Sequence, residues 1–131
     1  MSNSASQTPV SAPVIAIDLK QNRIRIHKGS LHLLGNPEYV QFLVNPTKRN
    51  LILIPSINSD HLAHHIRWYT DTVQRECCFY SKDLTHEICG LAKNWDEDST
   101  YRLVGRYISS NNALLFSLKD SYKVDLEMNN G

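Results

Sequence analysis

Five basic residues stand out in the first half of this 131-residue chain: Arg23, Arg25, Lys28, Lys48 and Arg49. Arg23 and Arg25 are two apart in the stretch Arg23-Ile24-Arg25-Ile26-His27, so in an extended strand both side chains leave the same face. Guanidinium groups on a common face can hold phosphates and can read guanine edges. Lys28 follows His27 directly, and Lys48 and Arg49 sit in a turn between two apolar runs. The set predicts a basic surface for an anionic partner such as nucleic acid. The plainer alternative is a solvated strand face with ordinary charges.

A second group is His61, His64 and His65. Positions three and four apart share a helix face, so His61 with His64 or His65 could chelate a transition metal. Further ligands would have to come from Cys77, Cys78, His86 or Cys89, and neither CxxC nor HExxH spacing is present. The expectation is no metal and no cofactor. No nucleophile elbow, Ser-His-Asp order or phosphate-binding glycine loop appears either. Asp96-Glu97-Asp98 lacks the alternation and the glycine of a calcium loop. Cys89 lies beside Ile88 in an amphipathic stretch, which suits packing better than attack. The expectation is therefore a protein that is not an enzyme.

Trp68 and Tyr69 fall in an ambiguous segment, and if exposed would anchor a protein partner. With the acidic Asp96-Glu97-Asp98 loop they define a second hypothesis: a small protein-binding inhibitor or adaptor, of the kind a phage or other mobile element encodes. An acidic patch can compete for a nucleic-acid site on its partner.

Charge and composition bound these readings. The net charge is +1, but residues 1–55 hold six basic and two acidic residues, whereas residues 56–131 hold eight and eleven. That asymmetry suits an anionic partner on one side, or is ordinary scatter of surface charge. No apolar run is long enough to span a membrane, and no signal-peptide pattern opens the chain. Three cysteines, two of them adjacent, argue for reduced thiols in a cytoplasmic protein.

The elements that must position these residues are legible in part. Val14–Leu19 reads as a strand and Lys20-Gln21-Asn22 as a turn into the Arg23 strand. Leu31, Leu33 and Leu34 make a short helix, with Gly35 as its left-handed cap and Pro37 as a stop. Tyr39–Val44 and Leu51–Ile54 are strands about an Asn45-Pro46-Thr47-Lys48 turn, the second closed by Pro55. Asp60 is a candidate cap for a helix through His61, His64, His65 and Trp68. Cys77–Tyr80 is a strand, and Ser81 caps a helix over Lys82–Asn94. Tyr101–Ile108 and Ala113–Leu118 are strands, with a further short one at Tyr122–Leu126.

The order strand, helix, strand, turn, strand thus occurs twice, from Arg23 to Pro55 and from Cys77 to Leu118. One such unit is too small to bury a core alone, and a second copy supplies what is missing. The first unit, through Ile24-x-Ile26-x-Lys28-x-x-Leu31-x-x-Leu34-Gly35 and the two strands that follow, resembles the AbrB/MazE-like (SpoVT-AbrB) family of swapped-hairpin DNA-binding domains. The resemblance covers about a quarter of the chain. It implies DNA binding, transcription regulation and a small barrel in which two copies interlock, here with the second unit acting in cis. This chain departs from the family in having His27 where proline is usual, a turn without a glycine-rich tip, and an acidic second half.

The expectation is an α+β domain, mostly β, of two strand-helix-strand-strand halves forming a small barrel-like core. It would span residues 14–126, with halves 14–55 and 77–118 joined by a linker at 56–76. Disordered ends would lie at 1–13 and 127–131. It would act as a monomer with a pseudo-twofold core or as a homodimer.

Overall fold

The computed structural model describes residues 12–66 and 76–124. The chain is α+β and mostly strand, as the patterning predicts. Its ten described strands form two five-stranded antiparallel sheets that enclose one core, and no closed barrel is formed. In chain order they are β1 (Val14–Asp18), β2 (Arg23–His27), β3 (Tyr39–Asn45), β4 (Asn50–Ser56), β5 (His64–His65), β6 (Glu76–Tyr80), β7 (Thr100–Val104), β8 (Arg106–Ile108), β9 (Ala113–Ser117) and β10 (Tyr122–Val124). Helix α1 (Lys28–Leu33) follows β2, and α2 (Lys82–Ala92) follows β6. The first sheet has the order β10-β7-β1-β2-β6 and the second β5-β3-β4-β9-β8.

Alternation decides the inner faces. Ile15, Ile17, Ile24, Ile26, Phe79 and Leu103 of the first sheet meet Val40, Phe42, Leu51, Leu53, Leu114 and Phe116 of the second. The Phe42 and Phe79 rings come within 5.9 Å across the layers. Leu31 and Leu34 of the α1 region and Leu84 and Ile88 of α2 complete the same core. Truncating a fully buried Ile24 to alanine would cost roughly 2–5 kcal/mol.

The pairings are those that a two-fold relation between the halves would make. β2 pairs with β6, and β4 with β9, each antiparallel. β1 pairs with β7, the strand after α2, while β5 pairs with β3, the strand after α1. Within each half the hairpin recurs as β3–β4 and β8–β9. The segment read as a linker therefore contributes β5, which takes the place that β1 holds in the first half. The chain passes between sheets at Gly105, between β7 and β8. A Cβ there would overlap the Leu115 carbonyl oxygen and the Phe116 ring, so the crossing needs glycine.

Three local expectations are corrected. Residues His61–Ile66 are not helical: Asp60 accepts from the Leu62 amide and from the Ser56 hydroxyl, an Asx-type turn, and His64–His65 then extend beside β3. A carboxylate that can satisfy a nearby amide in a turn competes with helix initiation. Pro55 lies inside β4 rather than ending it. It pairs with Val40 on one side, while β9 pairs only as far as Leu53 on the other. A residue without an N–H is tolerated where one side of the ladder is missing. Helix α2 ends at Ala92, two residues early, because Lys93 turns to φ 74°.

The predicted tail and end lie outside the described residues apart from Ala12 and Pro13, whose carbonyl accepts from the Gly105 amide at 2.8 Å. Tyr122–Val124 is a strand, and the rest of the predicted Tyr122–Leu126 segment is also outside them.

Candidate nucleic-acid interface

The inward turn of Ile24 and Ile26 obliges Arg23, Arg25 and His27 to face outward from the first sheet. Register then determines what surrounds them. Arg23 lies opposite Asp18 on β1 and Tyr80 on β6. Arg25 lies opposite Ala16 and Cys78, and Ala16 in turn lies opposite Arg102 of β7 and, through it, Tyr122 of β10. Two adjacent rows result, crossing all five strands. One runs Tyr122–Arg102–Ala16–Arg25–Cys78, the other Val124–Thr100–Asp18–Arg23–Tyr80.

Ala16 is the small residue between two arginines, and it is only 2% exposed. Arg23, Arg25 and Arg102 are all half-buried, and in all three the buried Nε has no hydrogen-bond acceptor. Three orphaned donors on one face are unusual, since buried polar groups are normally paired. Two carboxylates temper the charge. Arg23 meets the buried Asp18 at 3.2 Å, and Arg25 meets Glu76 at 3.7 Å. Burial alone would lower the pKa of the Arg23 guanidinium, but the hydrogen bond and charge of Asp18, with a smaller share from Tyr80, raise it on balance. Among the described residues no carboxylate lies within ion-pair distance of Arg102.

Lys48 and Arg49 of the predicted set do not join this face. Lys28 opens α1. Lys48 is exposed at the β3–β4 turn of the second sheet, where its amide donates to the Asn45 side chain. Arg49, in the left-handed region at φ 56°, turns toward α2 and donates from Nε and Nη2 to the carbonyls of Leu91 and Ala92, at 3.0 and 2.9 Å. It caps a helix C-terminus, whose partial negative charge suits a cation.

Of the alternative partner-binding set, Trp68 and Tyr69 lie outside the described residues. Asp96, Glu97 and Asp98 are exposed, with Asp96 paired to Lys123 at 2.7 Å. Glu97 and Asp98 line a shallow cleft of about 480 Å³ with Lys20, His86 and Cys89. Burial and then the Glu97 charge push the Cys89 thiol up, away from the thiolate that nucleophilic attack needs.

The histidines do not converge. His64 stacks on Phe79 at 4.4 Å and His65 packs on Tyr39 at 4.9 Å, and no metal-holding group of His, Cys, Asp or Glu occurs among the described residues. No helix among them is long and apolar enough to cross a membrane.

Sequence reasoning missed Arg102, Tyr80 and Tyr122 as members of the face. Alternation in β7 separates Arg102 from Tyr101 and Leu103, so its outward orientation was readable. That it faces the same way as Arg25 follows only from the β1–β7 pairing. The outer face of the second sheet is of opposite character, with Leu43, Ile52, Ile54, Ile108 and Leu115 bordering one aliphatic hollow. Comparison with family models, with curated proteins and with solved structures finds no match.

Proposed function

We propose that this chain is a non-enzymatic DNA-binding or regulatory module that works through the basic outer face of its first sheet. The observation that carries this reading is the convergence of Arg23, Arg25 and Arg102, each with an acceptor-less Nε, on two adjacent cross-strand rows. The resemblance of the Ile24–Gly35 stretch to AbrB/MazE-like domains points the same way. The test is a salt titration on duplex DNA and on RNA, with the Arg23→Glu/Arg25→Glu double variant as control. About three phosphate contacts should weaken binding roughly 20- to 40-fold between 50 and 200 mM salt. Retention unchanged in the double variant at low salt overturns the proposal.

A second reading, a small protein-binding inhibitor or adaptor, is favoured by the aliphatic outer face of the second sheet, where Leu43 is 40% exposed. Apolar patches of this kind mark protein contacts more often than nucleic-acid ones. Leu43→Lys/Ile52→Lys should abolish capture of a protein partner and leave DNA retention unchanged. Unchanged capture sinks this second reading.

A further inference from the structure

The arginine face is flanked by two exposed aromatic rings. Tyr80, opposite Arg23 on one edge strand, is 54% exposed, and Tyr122, opposite Arg102 on the other edge strand, is 50% exposed. Cross-strand partners share a face, so both rings stand on the side of the sheet that carries the arginines. A half-exposed tyrosine on an edge strand contributes little to the core, and two of them bracket the cationic rows.

Width decides what such a face can hold. Five strands span about 19 Å from β10 to β6 at the usual strand separation. The major groove of DNA is roughly 12 Å wide and admits a helix or a two-stranded ribbon. A five-stranded face is too broad to enter it, and would meet a duplex only at its phosphates. A single strand offers phosphates together with unpaired bases, whose π-faces stack on aromatic side chains whatever their sequence.

From these relationships we infer that the outer face of the first sheet binds single-stranded nucleic acid, with Tyr80 and Tyr122 as stacking platforms and Arg23, Arg25 and Arg102 holding the intervening phosphates. The inference rests on the basic-face reading above and narrows it to unpaired strands. Asp18 and Glu76 hold two of the arginines in place beforehand. Phosphates arriving on the face meet the part of these side chains that stays in solvent, 24% of Arg23 and 25% of Arg25.

The experiment measures the affinity of the full chain for labelled 12-mers of oligo-dT and oligo-rU and for a duplex of mixed sequence, at one low salt concentration. The variants are Tyr80→Ala, Tyr122→Ala, the two corresponding phenylalanine substitutions and Arg23→Glu/Arg25→Glu. The expected result is tighter binding of a single strand than of the duplex. Each alanine variant should lose roughly 5- to 100-fold of it, and each phenylalanine variant should retain it. Equal affinity of the oligo-dT and oligo-rU arms marks a backbone-and-stacking site, and preference for one assigns the natural strand; both support the inference. Duplex bound as tightly as single strands, indifferent to the tyrosines but lost in the double arginine variant, overturns the inference and leaves the basic-face reading standing. No binding of any probe by the wild-type chain overturns both. Thermal unfolding of each variant separates loss of the platform from loss of the fold.

Discussion

The Arg49 Nε donates to the Leu91 carbonyl at 3.0 Å across 42 residues of chain, so a hairpin tip of the second sheet closes the end of α2. A second bond to Ala92 makes the contact two-pronged. A residue whose sequence context suggested DNA is thus engaged in holding the two halves together.

Replacing Arg49 with alanine should therefore cost stability more than binding. Two charge-assisted bonds at a half-buried site are worth about 1–3 kcal/mol. Chemical denaturation should show that loss, while nucleic-acid retention by the folded variant stays near wild type. A retention loss as large as that of Arg23→Glu/Arg25→Glu would return Arg49 to the interface.

Arg102 is expected to matter where Lys48 does not. Arg102→Glu reverses a charge on the arginine face, whereas Lys48→Glu alters an exposed turn on the other sheet. The salt dependence of binding should flatten by about one phosphate equivalent in an Arg102→Gln variant and stay constant in Lys48→Gln. The reverse ranking would move the interface to the β3–β4 tip.

How much of this was readable beforehand divides along a physical line. Periodicity and caps are local, so β2, β3, β4 and α2 stand close to where the letters place them. Ser81 caps α2 as expected, its side chain accepting from the Leu84 amide at 3.2 Å. His61, His64 and His65 misled because helical spacing is necessary but not sufficient: the Asp60 turn and the free edge of β3 offered the backbone other partners. The shared face of Arg25 and Arg102 had no local signal, since it depends on a pairing between segments at opposite ends of the sequence.

Gly105→Ala tests the crossing between sheets. The added methyl would press on the Leu115 carbonyl and the Phe116 ring, both part of the paired β9. Overpacking against backbone should cost about 1–3 kcal/mol, visible as a fall in Tm of several degrees. An unchanged Tm would mean that β7 and β8 can part without harm.

His64 gives stability a pH dependence. Burial against Phe79 lowers its pKa below the ordinary 6.5, so the folded state favours the neutral ring. The folded chain then binds fewer protons than the unfolded one over this range. The His64 contribution is fully present above about pH 6.5 and is lost as pH falls through the lowered value. Unfolding midpoints at pH 8 and pH 5.5 should differ less in His64→Phe than in wild type. An equal difference in both would show that the ring carries no such linkage.

The position of β1 between β2 and β7 has a consequence for how the chain acquires its structure. As Val14–Asp18 and Arg23–His27 are synthesised they can form a hairpin at once, but the neighbours for its two flanks are Thr100–Val104 and Glu76–Tyr80. Until those segments follow, the hairpin carries two bare edges and an apolar side with nothing against it. Such long-range closure sets a slow folding rate, on the order of milliseconds to seconds, and the waiting interval is when strands of neighbouring molecules most readily mispair.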